Sequence, residues 1–303
     1  MEHIINTLIP IFTLIILGYT FKHLRFPSTE FWPMADKFTY YVLMPSLLIY
    51  KLARANIDIH HTINMVATTL LAITIVFFTL MVLNFFLKYE GKAFTSIMQG
   101  GIRFNSYVFL AFVDSVYGDK GLVYAAIILA FAIPYLNVLC ISTFAIYTQR
   151  GEFSFKSFFK TIIKNPLIGA CVIGGAINIS GVYVPMTLLK TLSLLSAAAL
   201  PIGLLSVGVG LEFKHLKSAK SELISSTFAK LIYFPAIIYG VGLLFGLHGM
   251  MLSVCVIFGA MPTAVSGYIL ARELGGDTTL MASIITVQTL ACMGTIFLII
   301  PIL

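Results

Sequence analysis

Segments of about twenty apolar residues, each able to cross a hydrocarbon layer roughly 30 Å thick, recur along nearly the whole chain. Inside lipid no water reaches backbone N–H and C=O groups, so such segments must satisfy their own hydrogen bonds as helices. Hydrophobic residues make up 59% and charged residues 10% of the 303, with a mean hydropathy of +0.99, far from soluble composition. The longest polar connection, residues 149–164, has no room for a soluble domain. No catalytic or nucleic-acid-binding module is therefore expected beside the membrane part.

Ten spans are expected, near residues 4–23, 34–52, 63–87, 94–117, 122–148, 162–179, 186–211, 223–245, 251–274 and 278–300. The connections after the odd-numbered spans carry Lys22, Arg25, Lys37, Lys88, Lys92, Arg150, Lys156, Lys160, Lys164, Lys214, Lys217, Lys220 and Arg272. The opposite side carries Lys51, Arg54, Lys120 and Lys190. Basic loops stay cytoplasmic, which predicts both termini outside a cytoplasmic membrane. The same bias accounts for the net charge of +7, since the bases sit singly between spans and form no nucleic-acid patch. Cys140, Cys171, Cys255 and Cys292 all fall in apolar segments without CxxC spacing, so neither a disulfide framework nor a metal site is expected. The acidic start of the chain, without a small-residue cleavage signal, reads as a first span and not a signal peptide.

The two halves echo each other. Met44-Pro45-Ser46-Leu47-Leu48 has a counterpart in Leu200-Pro201-Ile202-Gly203-Leu204, 156 residues on, and Gly118-Asp119 has one in Gly276-Asp277, 158 residues on. Each half holds five spans, an odd number, so the second enters the membrane upside down relative to the first. Inverted repeats of this kind mark secondary transporters whose substrate sites lie at the midplane between interrupted helices. The repeats are residues 1–160 and 161–303.

The segment 258–276, FGAMPTAVSGYILARELGG, supplies one interruption. Pro262 lacks an N–H and clashes with the carbonyl of Phe258, so the helix must kink or unwind; a plain kink is the competing reading. At the repeat offset Pro262 faces Phe104, within Gly100-Gly101-Ile102-Arg103-Phe104-Asn105-Ser106, where adjacent glycines weaken the helix by about 1 kcal/mol each.

Arg103 lies ten residues beyond Ala93, roughly 15 Å into the layer, where an arginine costs at least about 2.5–3.5 kcal/mol without a partner or cavity. It is expected to attract a carboxylate, helped by free N–H groups at a half-helix start. The alternative is an internal ion pair with Asp114, three turns along. Asn105, Ser106, Thr263, Ser266 and the backbone at Phe104 and Pro262 would complete the cradle. Asp114 is a candidate proton-carrying group, its alternative a solvated helix end. Gln288 and Asn137 read as polar groups satisfied by neighbouring helices, Lys230 as a lysine that snorkels to the inner surface, and Gly242 and Gly246 as helix-packing or oligomer contacts.

Through MPTAVSGYILARELGGD, Arg103-Phe104-Asn105 and the Pro45 and Pro201 segments, the full chain resembles the auxin efflux carrier family. That resemblance implies an all-α integral membrane protein of ten transmembrane helices, in two inverted five-helix repeats with broken, crossing helices 4 and 9. It implies a scaffold of helices 1, 2, 6 and 7, a transport domain of helices 3–5 and 8–10, homodimerisation through the scaffold and elevator-type movement. The partners implied are the lipid bilayer and small organic anions such as malate, malonate or indole-acetate, with no cofactor and no nucleic acid. One departure is that residues 105–110, NSYVFL, lack the glycines and proline that many members have there, so Tyr107 is expected to fill space left for substrate elsewhere. The long hydrophilic loop of many plant members is absent too. A sodium- or proton-coupled symporter of related architecture is the alternative, and a membrane sensor or scaffold a more distant one.

Overall fold

The computed structural model describes residues 2–55, 59–148, 163–214 and 220–299. The loop bases Arg150, Lys156, Lys160 and Lys217 and the first residue of the expected sixth span fall outside these. Helices α1 (Glu2–Leu24), α2 (Phe31–Phe38), α3 (Met44–Ala53), α4 (Ile59–Leu87), α5 (Gly91–Ile102) and α6 (Ser106–Thr148) come first. They are followed by α7 (Pro166–Ser180), α8 (Met186–Val209), α9 (Lys220–Phe228), α10 (Phe234–Leu244), α11 (Gly249–Ala260), α12 (Ser266–Leu274) and α13 (Thr278–Ile299). No strand occurs among the described residues. Among the described residues five helical stretches are long and apolar enough to cross a membrane, and shorter apolar helices lie at Leu8–Leu24, Pro166–Ser180 and Gly249–Ala260.

Proline chemistry explains two irregular helices. Pro45 has no N–H and would press on the carbonyl of Tyr41, and the chain widens into a π-helical turn, Thr39–Leu43, that joins α2 to α3. Pro235 is preceded by the same device, Ala229–Tyr233, between α9 and α10. Pro201, the expected counterpart of Pro45, sits instead inside unbroken α8. At Gly118 (φ 58°, ψ −148°) helix α6 turns sharply, which separates the expected fourth and fifth spans. Only glycine takes that backbone conformation readily.

Two packing groups result. Helices α1, α3, α7 and α8 pack together in one, and α4, α5, α9, α10, α11 and α13 in the other, their buried side chains forming one continuous apolar core. Helix α6 touches both. Within the first group α1 and α8 meet backbone to backbone, since a Cβ at Gly18 would overlap the Leu205 carbonyl and one at Gly208 the carbonyl of Ile15. Lys22 closes the end of this contact, donating to the Leu211 carbonyl (2.6 Å) and to Glu212 (3.5 Å). Burial works against the Glu212 charge, yet the Lys22 ammonium and the Lys214 N–H outweigh it and hold the carboxyl below its ordinary range.

The expected fourth span is interrupted just past Gly100 and Gly101, with α5 helical through Ile102. The two glycines are also close-packing points, with Ser226 and Ile284 against Gly100 and the Leu80 methyl 2.5 Å from where a Cβ of Gly101 would stand. One expectation fails. Lys230 does not snorkel. It is fully buried, and its Nζ finds no hydrogen-bond acceptor among the described residues, lying 4.4 Å from the Phe234 ring centre and 5.6 Å from that of Phe258. The extra residue of the π turn rotates position 230 off the helical face that α9 would otherwise present. The paired glycines also part company: Gly242 packs on Leu252 inside the fold, whereas Gly246 (φ 71°) forms a turn with nothing near its Cβ position.

A buried amine nitrogen without a hydrogen-bond partner is poorly compensated even by two aromatic faces. Lys230→Met, which keeps the stem and removes the polar nitrogen, is expected to raise stability by about 1 kcal/mol, roughly 2–4 °C in Tm. Thermal unfolding of the detergent-solubilised protein checks this.

Candidate functional site

The two interruptions meet. Helix α5 ends at Arg103 (φ −71°, ψ 161°) and α11 at Met261 (φ −71°, ψ 146°), both turning to extended backbone. The Asn105 N–H then donates to the Pro262 carbonyl at 2.7 Å, tying one break to the other. This carbonyl bond compensates a backbone group freed by the interruption, as an apolar interior demands.

Two glutamines pin the junction. Gln288 Oε1 accepts from the Thr263 N–H (3.0 Å), and its Nε2 donates to the carbonyls of Gly100 (3.0 Å) and Ser226 (3.2 Å). The Gln99 carbonyl accepts from the Thr263 hydroxyl at 3.2 Å, and its Nε2 reaches the Gly267 carbonyl at 3.4 Å. Gln99 and Gln288 are both fully buried. Gln288→Leu leaves the Thr263 N–H and two carbonyls without partners, at an expected cost of about 3 kcal/mol or roughly 6–12 °C in Tm. Thermal unfolding beside the wild type measures it.

The expected site residues divide by role. Thr263 is fully buried and spends both its N–H and its hydroxyl on the junction, and Pro262 contributes its carbonyl. The side chain of Asn105 caps the second half-helix, its Oδ1 accepting from the N–H groups of Tyr107 (3.1 Å) and Val108 (3.2 Å). Phe104 joins an aromatic cluster with Phe258 (4.4 Å between centroids) and Phe109 (5.8 Å). Asp114 lies apart, further along α6 and within electrostatic reach of Lys51 and Asp119. No ion pair joins it to Arg103; those among the described residues are Lys22–Glu212 and Lys51–Asp119.

Arg103, Phe104, Ser106 and Ser266 line a cavity of about 200 Å³ together with Tyr40, Asn137 and Asn165. The guanidinium meets neutral groups among the described residues, donating to Asn137 Oδ1 at 3.3 Å and Gln99 Oε1 at 3.5 Å and lying against the Cys140 thiol. Long neutral contacts orient a guanidinium without cancelling its charge. Ser106 and Ser266 open α6 and α12, and their N–H groups meet no protein acceptor among the described residues. Both half-helices thus point their positive ends at the space beside Arg103. Asn165, whose role the sequence reading missed, caps α7 through bonds to Leu167 N–H (3.0 Å) and Ile168 N–H (3.3 Å) while walling the cavity. The Asn165-Pro166 pair was a readable helix-start signal. A second cavity of about 290 Å³ shares Tyr40, Ser106, Ala264 and Ser266 with the first and extends past Asp36 and Ser206.

Broken helices joined inside an apolar bundle, with a cation and helix-start N–H groups beside a cavity, are features found in membrane carriers. Comparison with known proteins agrees. Residues 3–300 match the family described as "Membrane transport protein", and the chain belongs to it; this is the auxin efflux carrier family. The uncharacterized transporter YfdV of Escherichia coli K12 is 27% identical over 304 residues, 96% of this chain and 95% of that protein. An uncharacterized transporter of Methanothermobacter thermautotrophicus is 23% identical across 94% of this chain and 93% of its own length. The chain is therefore a multi-pass membrane transporter.

Proposed function

We propose that the protein carries a small organic anion, a mono- or dicarboxylate, across the cytoplasmic membrane by an elevator-type movement. The observation that supports this best is Arg103, a guanidinium on an internal cavity with neutral contacts only, flanked by the N-terminal ends of two half-helices. Arg103 would take the carboxylate through paired charge-assisted bonds, and the Ser106 and Ser266 N–H groups would take its remaining lone pairs. Asn105, Thr263 and the Pro262 carbonyl hold the cradle's shape.

An inverted repeat is supported by matched half-helices. Gly91–Ile102 and Gly249–Ala260 have 12 residues each, begin 158 positions apart and end in the same extended conformation. The packing of α1, α3, α7 and α8 on one another fits a scaffold made of spans one, two, six and seven, and the second helix group fits the moving part. In this reading α6 carries the site along the scaffold, where the Tyr107 ring lies 2.8 Å from the place a Cβ would occupy on Gly203. The scaffold would dimerise, and both termini would face outside. The cavity past Trp32 and Gly210 lies toward the base-rich loops and would open to the cytoplasm. An inside-negative potential would expel a monovalent anion with about 2.3 kcal/mol per 100 mV.

The test is efflux of radiolabelled carboxylates from proteoliposomes with an imposed potential, with and without sodium. Saturable efflux that follows the potential and ignores sodium is expected. Efflux that requires a sodium gradient would favour the ion-coupled symporter instead.

A further inference from the structure

Resting on that reading of Arg103, we propose that the substrate is a monocarboxylate whose far end donates a hydrogen bond, through a hydroxyl or an ammonium group, and that the site discriminates against a second carboxylate. The two cavities adjoin, sharing Tyr40, Ser106, Ala264 and Ser266, and in this proposal a solute held at Arg103 reaches past them into the second. What it would meet there is the carboxylate of Asp36.

Asp36 is exposed on that wall, and no Lys, Arg or His nitrogen lies within ion-pair distance of it among the described residues. It accepts one bond, from the Tyr107 hydroxyl at 3.2 Å, which leaves most of its lone pairs free. The Ser206 hydroxyl on the same wall is buried and has no hydrogen-bond partner among the described residues. A carboxylate can only accept, so a dicarboxylate would bring like charges together at Asp36, whereas a hydroxyl or ammonium would donate to it. One cavity thus favours an acceptor and the other a donor. A site that rejects a wrong group by repulsion as well as by lost bonds discriminates more strongly than contacts alone allow.

The experiment measures equilibrium binding of radiolabelled butanoate, 4-hydroxybutanoate, 4-aminobutanoate and succinate to purified protein, repeated with chain lengths of two to six carbons. In the wild type one donor-bearing acid is expected to bind about tenfold tighter than the dicarboxylate of equal length, and the hydroxy and amino compounds tell which donor is used. Asp36→Asn should shrink that ratio below about threefold without weakening the unsubstituted acid, and Asp36→Glu should keep it. Arg103→Gln should lose every ligand. A dicarboxylate that binds the wild type as tightly as any donor-bearing acid, yet is lost in Arg103→Gln, overturns this proposal and leaves the anion site standing. An unchanged ratio in Asp36→Asn overturns it as well. No carboxylate binding to the folded wild type overturns both readings, and if Asp36→Asn does not fold, the wild-type order decides alone.

Discussion

Replacement of Arg103 by glutamine is expected to lower carboxylate affinity by at least about 100-fold while the protein stays folded. The guanidinium's oxygen contacts within the protein, to Asn137 and Gln99, are long and neutral, so little stability depends on its charge. Glutamine retains an amide donor for the same neighbours and removes only the cation. A charge-assisted bond contributes about 1.5–3 kcal/mol, and two such bonds to one carboxylate account for a loss of that size. Binding of radiolabelled carboxylate to both proteins, with their thermal unfolding measured in parallel, separates the ligand effect from any folding effect. A variant that binds as the wild type does would return Arg103 to a structural role.

The second large effect is on assembly of the helices. Gly208→Ala is expected to cost about 3 kcal/mol, enough to depress yield sharply, because the added methyl meets the Ile15 carbonyl and the Tyr19 N–H, 2.8 Å from where it would stand. Backbone cannot swing aside as a side chain can, so overpacking here falls at the upper end of its usual range. Gly169→Ala is the control. It lies in helix α7 with nothing near its Cβ position, and the substitution is expected to be neutral or to add up to about 1 kcal/mol through helix propensity. Expression and thermal unfolding of the two variants make the comparison.

Both breaks could be read from the chain because each leaves a local mark. Pro262 cannot continue a helix, and the repeat offset carries that mark across to Phe104, two residues past the end of α5. The division of labour at the junction could not be read. Thr263, Ser106 and Ser266 are all small hydroxyl residues in apolar surroundings, yet the first is turned onto the Gln99 carbonyl while the other two reach the cavity. Which way a side chain faces in a non-helical stretch has no period to reveal it. Asn105 was expected in the cradle, and its capping of α6 follows from the preference of asparagine for helix starts, a signal that became usable only once the break was located.

Longer-range facts left no mark at all. Gly18 and Gly208 are 190 positions apart, and nothing near either one tells which glycines of the chain meet a backbone. Lys230 looked like a snorkelling lysine because the π turn that rotates it inward depends on Pro235, five residues further on. The placement of Asp36 leaves no sequence mark for the same reason, since its cavity wall and its Tyr107 contact come from helices distant in sequence.

The most direct measurement is an X-ray structure of the protein with a brominated carboxylate, located by the anomalous scattering of bromine. The carboxylate is predicted to lie on the Arg103 guanidinium between the starts of α6 and α12, with the bromine in the space walled by Tyr40 and Ser266. A ligand bound elsewhere, with Arg103 still held by Asn137 and Gln99, would contradict the account.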